Sequence, residues 1–514
     1  MLIRSAATQT APGEMCLTIA APGPAVPQAD TTGANHTARG KRLGLGMLTA
    51  YGSGALVQDT AVYSLNSLLL FYLTIVCGMS GSAAGLALGI ALVVDSIVDP
   101  LVGSLSDNSR SKHGRRHPYM LLSAVPLVVT LGLLFSIPAG LTGWGLFAYA
   151  LTLLLGVRIC ISLFQVPYIA LGAELSDDYA ERSTIVAGRV LFGVLANAAA
   201  IYLAYGVFLK GPGGQTHRDA YGPMAWACGA VVLAGAALST FGTLRARHRL
   251  HVAAPGQGKA FGRFTSEVAE VFRNPSFRIL FTACLVVFIS MGTAAALTLH
   301  ANTYFWKLPS EAILAISLIA VVGLFFGVFI VGALARLLEK RVTSMIGVGL
   351  VALSQVVPVL LRVSGLTPAG TEVVVLSLAA VVFGVGCSFA VIGFQSMMAD
   401  AADEHEHLFG ARREGLYFAG ISLAAKASSG LGALIAGVVL DAIGFPHGLD
   451  AAGLSKVVSI SPTAVTSLGL AYGPGAAVIT GLGMVILMAY RRGRVDHELV
   501  RESLDRRREG AQSE

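Results

Sequence analysis

The chain has 514 residues, of which 54% are hydrophobic and 13% are charged, and long apolar runs recur from about residue 43 to residue 490. This composition is typical of an all-α protein that crosses a membrane many times, and it excludes a soluble globular domain. The formal net charge is +7, but most basic residues lie in short connections and tails between the apolar runs, which argues against nucleic acid as a partner.

The predicted elements begin with a polar tail. Residues 1–42 are rich in Ala, Thr, Pro and Gly and lack the apolar core of a signal peptide, so we expect a disordered cytoplasmic segment. Windows of about twenty apolar residues then predict twelve transmembrane helices, at 43–74, 83–107, 118–139, 144–172, 184–209, 221–244, 277–300, 311–336, 343–363, 370–399, 414–440 and 468–490.

A long basic connection divides these helices into two sixes. After the tail, the predicted domains are an N-terminal half at 43–244, a cytoplasmic linker at 245–276, a C-terminal half at 277–490 and a basic cytoplasmic tail at 491–514. With both termini cytoplasmic, 28 lysines and arginines lie on the cytoplasmic side and five on the other, which favours this orientation. Two such halves describe the major facilitator fold, whose solute site lies between the halves near the membrane midplane.

Six charged residues lie well inside the predicted helices. Each would cost about 2.5–3.5 kcal/mol if it faced lipid at the centre of a helix. We therefore expect them to face the interior of the bundle, to pair with one another and to carry function. They are Asp59, Asp95, Asp99, Arg158, Arg189 and Lys426.

Two of these charges form a close pair. Asp95 and Asp99 are four residues apart, so both carboxylates lie on one face of the second helix. Two like charges held this close in a low-dielectric site favour the uptake of a proton, a metal cation or a basic side chain. The alternative is that a nearby arginine or lysine neutralises the pair permanently and that the pair only holds helices together.

Three stretches of the chain carry a resemblance to a known family. They are DSIVDPLVGSLSDNSRSKHGRRHPY, QVPYIALGAELSDDYAERSTI and MMADAADEHEHLFGARREGLYFAGISLAAKASSGLGALIAG. In these stretches, and in their order, the chain resembles the melibiose permease-like glycoside-pentoside-hexuronide:cation symporter family, over about residues 43–490. The resemblance implies a secondary transporter that needs no cofactor and that couples a sugar or glycoside-like solute to H⁺ or Na⁺.

The resemblance also implies a cation-coupling site. It assigns the cation to Asp95 and Asp99, with the hydroxyl of Ser162 assisting and Lys426 close by. Arg158 stands where the family usually has a small residue, one helical turn before Ser162. We expect its guanidinium to reach one of the two aspartates in place of a sodium ion. The carrier would then couple to protons through the remaining carboxylate, or would work as an uncoupled facilitator.

The solute site implied by the resemblance uses the other two charges. Asp59 and Arg189 correspond to family residues that bind sugar hydroxyls, and Gln165 and Tyr168 are expected to assist them. Gln165 replaces an aspartate of the melibiose-type members, and Ile169 replaces an aromatic residue that stacks on the sugar. Galactoside specificity is therefore not expected.

Two basic segments are candidates for gating. The loop GSLSDNSRSKHGRRHP matches the major facilitator signature between helices two and three, in which Asp107 can pair with Arg115 or Arg116. We expect these residues, and Arg412 and Arg413 after the tenth span, to latch one conformation. The same arginines would also anchor the chain by the positive-inside rule.

Two further patterns have plainer interpretations. The run DEHEH at 403–407 has metal-ligand residue types, but we expect a solvated cytoplasmic loop and no metal site. His300 precedes the aromatic segment at 304–306, which is typical of an interfacial belt.

These observations predict a monomeric transporter, not an enzyme, in a bacterial inner membrane, surrounded by lipid and working by alternating access. The solute is expected to be a sugar or glycoside. One alternative is a carrier, uncoupled or proton-coupled, of a non-sugar or amphiphilic solute such as a lysolipid. A second alternative, from a different class, is a membrane sensor or membrane enzyme without solute flux.

Overall fold

The chain is seen in a computed structural model, which describes residues 43–490 except for 110, 112–113, 177, 212, 245–268, 335–336, 369, 411–412 and 449–459, and which also describes 498–500, 502–504 and 506. The predicted tail 1–42, most of the predicted linker 245–276, most of the predicted tail 491–514 and the gating candidate Arg412 therefore lie outside the described residues.

Within the described residues, twelve helices are long and apolar enough to cross a membrane, and no strand occurs. In chain order they are α1 (Leu45–Val76), α2 (Gly81–Asp107), α3 (His117–Leu134), α4 (Gly143–Glu174), α5 (Glu181–Phe208), α6 (Arg218–Leu244), α7 (Pro275–Phe305), α8 (Ser310–Leu334), α9 (Lys340–Val363), α10 (Glu372–Phe409), α11 (Glu414–Ala442) and α12 (Pro462–Met488). The expected number of spans is confirmed.

Helix α12 starts earlier than its hydropathy window because of local capping. Helix α12 begins at Pro462, ahead of the predicted residue 468. The hydroxyl of Ser461 accepts a hydrogen bond from the amide of Ala464 at 3.2 Å, and proline fits the first turn because its missing N–H is not needed there. Capping groups, which hydropathy does not register, thus set this boundary.

Helix α10 extends well beyond its apolar window, to Phe409. The DEHEH run is therefore helical, and the expectation of a solvated loop is wrong. His405 is fully buried, with its ring against those of Phe409 and Tyr417. Packing between helices has replaced water around this side chain. No group of three or more metal-ligating side chains occurs among the described residues.

The halves α1–α6 and α7–α12 meet most extensively where α2 packs on α11. Glycines allow this approach. A Cβ added at Gly81 would lie 2.3 Å from the carbonyl oxygen of Gly437, and one added at Gly437 would lie 2.1 Å from that of Gly81. A Cβ at Gly85 would lie 2.9 Å from Cα of Leu434. Because each of these distances is too short for a side chain, only glycine permits this backbone contact.

Polar contacts join the halves at the same end of the bundle, where α1 connects to α2. The carboxylate of Asp441 on α11 accepts hydrogen bonds from the amides of Gly81 at 2.8 Å and Ser82 at 2.7 Å, which caps the start of α2. Thr74 on α1 lies 2.9 Å from Nε2 of His300 on α7. His300 is fully buried, so it is a contact between the halves and not part of the expected interfacial belt. We call this region the sealed end.

The opposite end of the bundle, where α2 connects to α3, is more open. Three apolar side chains that line the space between the halves lie toward this end and remain exposed: Val190 by 57%, Ile169 by 43% and Leu324 by 40%. They come from α5, α4 and α8. The interior is therefore accessible from this side, which we call the open end.

Candidate solute cavity and charged cluster

A cavity of about 750 Å³ lies between the halves. Its walls come from α1, α4 and α5 of the first half and from α7, α8 and α11 of the second half. The volume falls within the range of about 300–1,000 Å³ that is usual for small-molecule sites. All four residues predicted to bind solute line this cavity, namely Asp59, Gln165, Tyr168 and Arg189.

The charged pair in the cavity is formed by Asp59 of α1 and Arg189 of α5. A Cβ added at Gly193, one helical turn after Arg189, would lie 2.5 Å from Oδ2 of Asp59. Glycine at 193 therefore lets the carboxylate approach the α5 backbone. Arg189 interacts electrostatically with Asp59 and with the hydroxyl of Tyr51. Among the described residues neither charge is in a salt bridge, so both can bind a solute.

Tyr168 lines the cavity in a different way from the charged pair. Its hydroxyl donates a hydrogen bond to the carbonyl oxygen of Tyr51 at 3.0 Å, and its ring stacks on the Tyr51 ring at a centroid distance of 4.7 Å. The side chain is only 1% exposed. Because its hydroxyl proton is already used, Tyr168 lines the cavity without offering a solute a free donor.

The aspartate pair on α2 lies in a separate charged cluster. Asp95 is 3% exposed. The ammonium of Lys426 on α11 is 3.0 Å from Oδ2 of Asp95 and also pairs with Oδ2 of Asp99. The hydroxyl of Ser162 on α4 donates to Oδ1 of Asp95 at 3.0 Å. One lysine thus pairs with two carboxylates from across the boundary between the halves, and the buried guanidinium of Arg158 adds a second positive charge that interacts electrostatically with both.

Arg158 does not have the partner expected from the sequence. Within the described part of the chain its guanidinium forms no salt bridge with Asp95 or Asp99. It donates instead to the hydroxyl of Ser429 at 2.7 Å, and that hydroxyl donates to Oδ1 of Asn66 at 2.7 Å. Ser162, one turn further along α4, is the residue beside Asp95, so the position of Arg158 directs its side chain toward α11 and α1. It therefore links α4 to both of these helices.

The cluster and the cavity are one helical turn apart on two helices. On α4, Ser162 belongs to the cluster and Gln165 to the cavity; on α11, Lys426 belongs to the cluster and Ser422 to the cavity. Residues three or four apart lie on the same face of a helix. A displacement of α4 or α11 at one site is therefore transmitted to the other.

The gating candidates form ion pairs within each half. Arg116 lies 2.5 Å from Glu174 and 3.3 Å from Asp107, and Arg115 also pairs with Glu174. These residues join the α2–α3 connection to the end of α4. Arg413 of the second half lies 3.8 Å from Glu270. Each of these ion pairs holds one half together at the open end.

Several polar residues of the cavity were missed in the sequence because they carry no charge. Asn197 follows Arg189 and Gly193 at intervals of four residues, and this spacing could have placed it on the same face of α5. Asn302, Ser317 and Ser422 belong to the second half. They lie in apolar stretches of sequence, where a single amide or hydroxyl side chain does not by itself indicate a binding site.

Proteins with similar sequences are transport proteins. A family profile described as MFS/sugar transport protein matches residues 50–493. An uncharacterized symporter of Synechocystis is 25% identical, over 90% of this chain and 96% of its own. The isoprimeverose transporter of Lactiplantibacillus pentosus is 25% identical over 73% and 76%, and the glucuronide carrier protein homolog of Escherichia coli is 24% identical over 77% and 84%.

Solved structures show the same fold. The nucleoside transporter NupG matches with a TM-score of 0.59 and 12% identity, over 86% of this chain and 99% of its own. The xylose transporter XylE of Escherichia coli, in an inward open conformation, matches with a TM-score of 0.57 and 12% identity, over 87% and 96%. The chain therefore belongs to the MFS/sugar transport protein family, in the glycoside-pentoside-hexuronide:cation symporter branch of the major facilitator superfamily, and is an integral membrane transporter.

Proposed function

We propose that the protein carries a sugar or glycoside-like solute across a bacterial inner membrane by alternating access, and that a cation at Asp95 and Asp99 drives this transport. The observation that carries the proposal is the cavity between the halves, which is lined by Asp59 and Arg189, two charges that form no salt bridge with any residue that the structure describes. A carboxylate and a guanidinium are strong hydrogen-bond partners for hydroxyl groups in a desolvated site. The named sugar and glycoside carriers among the relatives support the same solute class.

The proposal includes an orientation and an oligomeric state. Both termini are cytoplasmic, as the distribution of basic residues favours, so the open end faces the cytoplasm and the described conformation is inward-facing. The cavity lies within one chain and both of its walls come from that chain, so the transporter works as a monomer. Asp107, Arg115, Arg116 and Arg413 keep the two halves rigid while they rock against each other.

Coupling would use the shared helices α4 and α11. A cation that binds Asp95 and Asp99 competes with Lys426 for the same oxygens and so changes how α11 is held against α2. Because α4 and α11 also line the cavity, the solute site changes with it. Thermodynamic linkage then requires that the solute raise cation affinity by the same factor by which the cation raises solute affinity.

A second candidate, uncoupled transport, is favoured by one observation. Lys426 already occupies Oδ2 of both aspartates, and Oδ1 of Asp95 accepts from Ser162, which leaves Oδ1 of Asp99 as the carboxylate oxygen without a hydrogen-bond partner. Hard cations take about six oxygen ligands. A sodium ion fits these residues only if Lys426 withdraws, so a carrier in which Lys426 keeps both contacts would move solute without coupling to sodium.

Transport assays in proteoliposomes test both candidates. Uptake of labelled xylose, glucose, galactose and glucuronate is measured with an imposed Na⁺ gradient, an imposed H⁺ gradient or neither. We expect accumulation above equilibrium with one of the gradients, and its loss in Asp95→Asn. Uptake that only equilibrates under every condition would establish the uncoupled carrier. Absence of flux for all sugars and their glycosides would overturn the proposed function and favour a sensor.

A further inference from the structure

The two sides of the cavity differ in chemistry, and the division runs along α5. One edge of its cavity face carries Arg189, Gly193 and Asn197, and this edge approaches Asp59 of α1. The adjoining edge carries Val190 and Val194. Residues one position apart on a helix are rotated by about 100°, so the polar edge and the apolar edge lie side by side and line different parts of the same space.

Helix α8 continues the apolar edge. Its cavity-lining residues are Ile313, Ser317, Ala320, Val321 and Leu324, spaced so that they share one face of the helix. Ser317 is the polar member of this stripe. From Ile313 to Leu324 the stripe extends for about 16 Å at 1.5 Å per residue. It runs from the sealed end, where Ile313 is 1% exposed, to the open end, where Leu324 is 40% exposed.

The charged side chains that line the cavity are also distributed unevenly between the two halves. The charged side chains that line the cavity, Asp59 and Arg189, both belong to the first half, whereas the second half contributes amide, hydroxyl and apolar groups among the described residues. A solute with hydroxyl groups on every side would place those that face α8 against a stripe in which Ser317 is the polar member. Unpaired polar groups in a desolvated site are costly, so a uniformly polar sugar matches the α8 stripe and the apolar edge of α5 less well than it matches the rest of the cavity.

We propose that α8 and the apolar edge of α5 form a second subsite, which takes an alkyl or aryl substituent of a glycoside while Asp59 and Arg189 hold its sugar. The inference rests on the proposed function and narrows its solute class to glycosides with an apolar substituent. The cavity volume of about 750 Å³ leaves room for both parts. Such a solute satisfies both walls, since its hydroxyl groups face α1 and its substituent removes apolar surface of α8 from water.

Binding measurements on a graded series test the subsite. The probes are methyl, ethyl, propyl, butyl and phenyl glycosides of xylose, glucose, galactose and glucuronic acid, titrated calorimetrically into the protein in nanodiscs, with empty nanodiscs as a blank for membrane partition. We expect Kd to fall about fourfold for each added methylene group of the best sugar. The heat-capacity change of binding should become more negative along the series, as burial of apolar surface requires.

Two isosteric variants locate the subsite. Val321→Thr exchanges a methyl group for a hydroxyl group on the cavity face of α8 and should reduce the gain from methyl to butyl glycoside severalfold. Val322→Thr makes the same exchange at a neighbouring residue that does not line the cavity and is 49% exposed. It should leave the gain unchanged and so controls for folding and for helix propensity.

The outcomes separate the two proposals. A glycoside series that binds with one Kd whatever the substituent overturns the subsite and leaves the proposed function intact, as does an equal response of Val321→Thr and Val322→Thr. If none of the sugars or glycosides binds, the proposed function fails and the subsite fails with it. Binding that strengthens along the series, and that depends on Val321 alone, establishes the subsite.

Discussion

The two charged sites of this transporter differ in how their buried charges are paired. In the cluster at Asp95 and Asp99, Lys426 pairs with both carboxylates and Ser162 adds a hydrogen bond, so the charges satisfy one another. In the cavity, Asp59 and Arg189 face each other without forming an ion pair. Burial of charge is costly in both places; the cluster offsets that cost by direct ion pairs, whereas Asp59 and Arg189 offset it only by electrostatic interaction without a salt bridge.

This difference indicates what each site does. A compensated cluster can hold helices together in the absence of ligand, and it changes only when a cation displaces the lysine. The cavity pair, Asp59 and Arg189, has no direct salt bridge and is stabilised when a solute brings its own hydrogen-bonding groups. Substitutions in the cluster should therefore affect stability first, and substitutions in the cavity should affect solute binding first.

The largest effect is expected for Lys426→Met. The substitution removes the ammonium that contacts both carboxylates. Removal of one partner from a buried ion pair typically costs about 3–5 kcal/mol, and the lower end applies here because Lys426 is 26% exposed and Arg158 still interacts with both aspartates. We expect a large fall in Tm of the purified protein, measured in detergent. Lys340→Met is the matched control, because the pair of Lys340 with Asp400 is 47% exposed on the lysine side, and exposed pairs contribute about 0–1 kcal/mol. Equal losses of Tm in the two variants would contradict the difference between the sites.

A second variant, in the cavity, should lower solute affinity and leave stability nearly unchanged. Asp59→Asn keeps the shape of the side chain but removes its charge, and hydrogen bonds to charged groups contribute about 1.5–3 kcal/mol. Solute affinity should fall by about 10- to 100-fold, while Tm without solute stays close to the wild-type value. Titration calorimetry with the best sugar measures the first quantity and thermal unfolding the second. Glu311→Gln, at an exposed site outside the cavity, should change neither, and unaltered solute affinity in Asp59→Asn would remove Asp59 from the site.

A smaller effect is expected for Ser162→Ala. This change removes the hydroxyl that donates to Asp95 and should cost about 1.5 kcal/mol of stability. It should also change the cation concentration that gives half-maximal solute uptake, since Asp95 loses a fixed hydrogen bond. Ser96→Ala is the control, because the exposed hydroxyl of Ser96 donates to the Leu92 carbonyl of its own helix and not to an aspartate of the cluster. If the two alanine variants behaved alike in both assays, Ser162 would have no part in coupling.

The twelve membrane spans, and most of the charged residues inside them, could be predicted from the sequence. Membrane spans require about twenty apolar residues, so hydropathy marks them strongly. An acidic or basic residue in such a span is conspicuous for the same reason, which is how Asp59 and Lys426 were found. Helix ends were less predictable, as α10 and α12 show, because capping groups and packing of polar residues determine them.

The partners of the buried charges could not be read from the sequence. Two basic residues, Arg158 and Lys426, were available for the aspartates, and spacing along α4 favoured Arg158. The choice depends on the rotation of α4 and α11 about their axes, to which residues far apart in the chain contribute. His300 was misjudged for a similar reason, since nothing near it in sequence reveals that Thr74 and α1 cover it.

The glycine contact between α2 and α11 affects the rate at which the sealed end can open during transport. At the sealed end the halves touch through the backbone at Gly81 and Gly437, and Asp441 caps α2 through main-chain amides. Separation of α2 from α11 at these glycines requires no long side chain to change rotamer. It replaces close backbone packing and two amide hydrogen bonds by contacts with water. Hydration of this seam should therefore set the cost of separating α2 from α11, while the rings of Phe71 and His300, which also join the halves at the sealed end, must part in the same step.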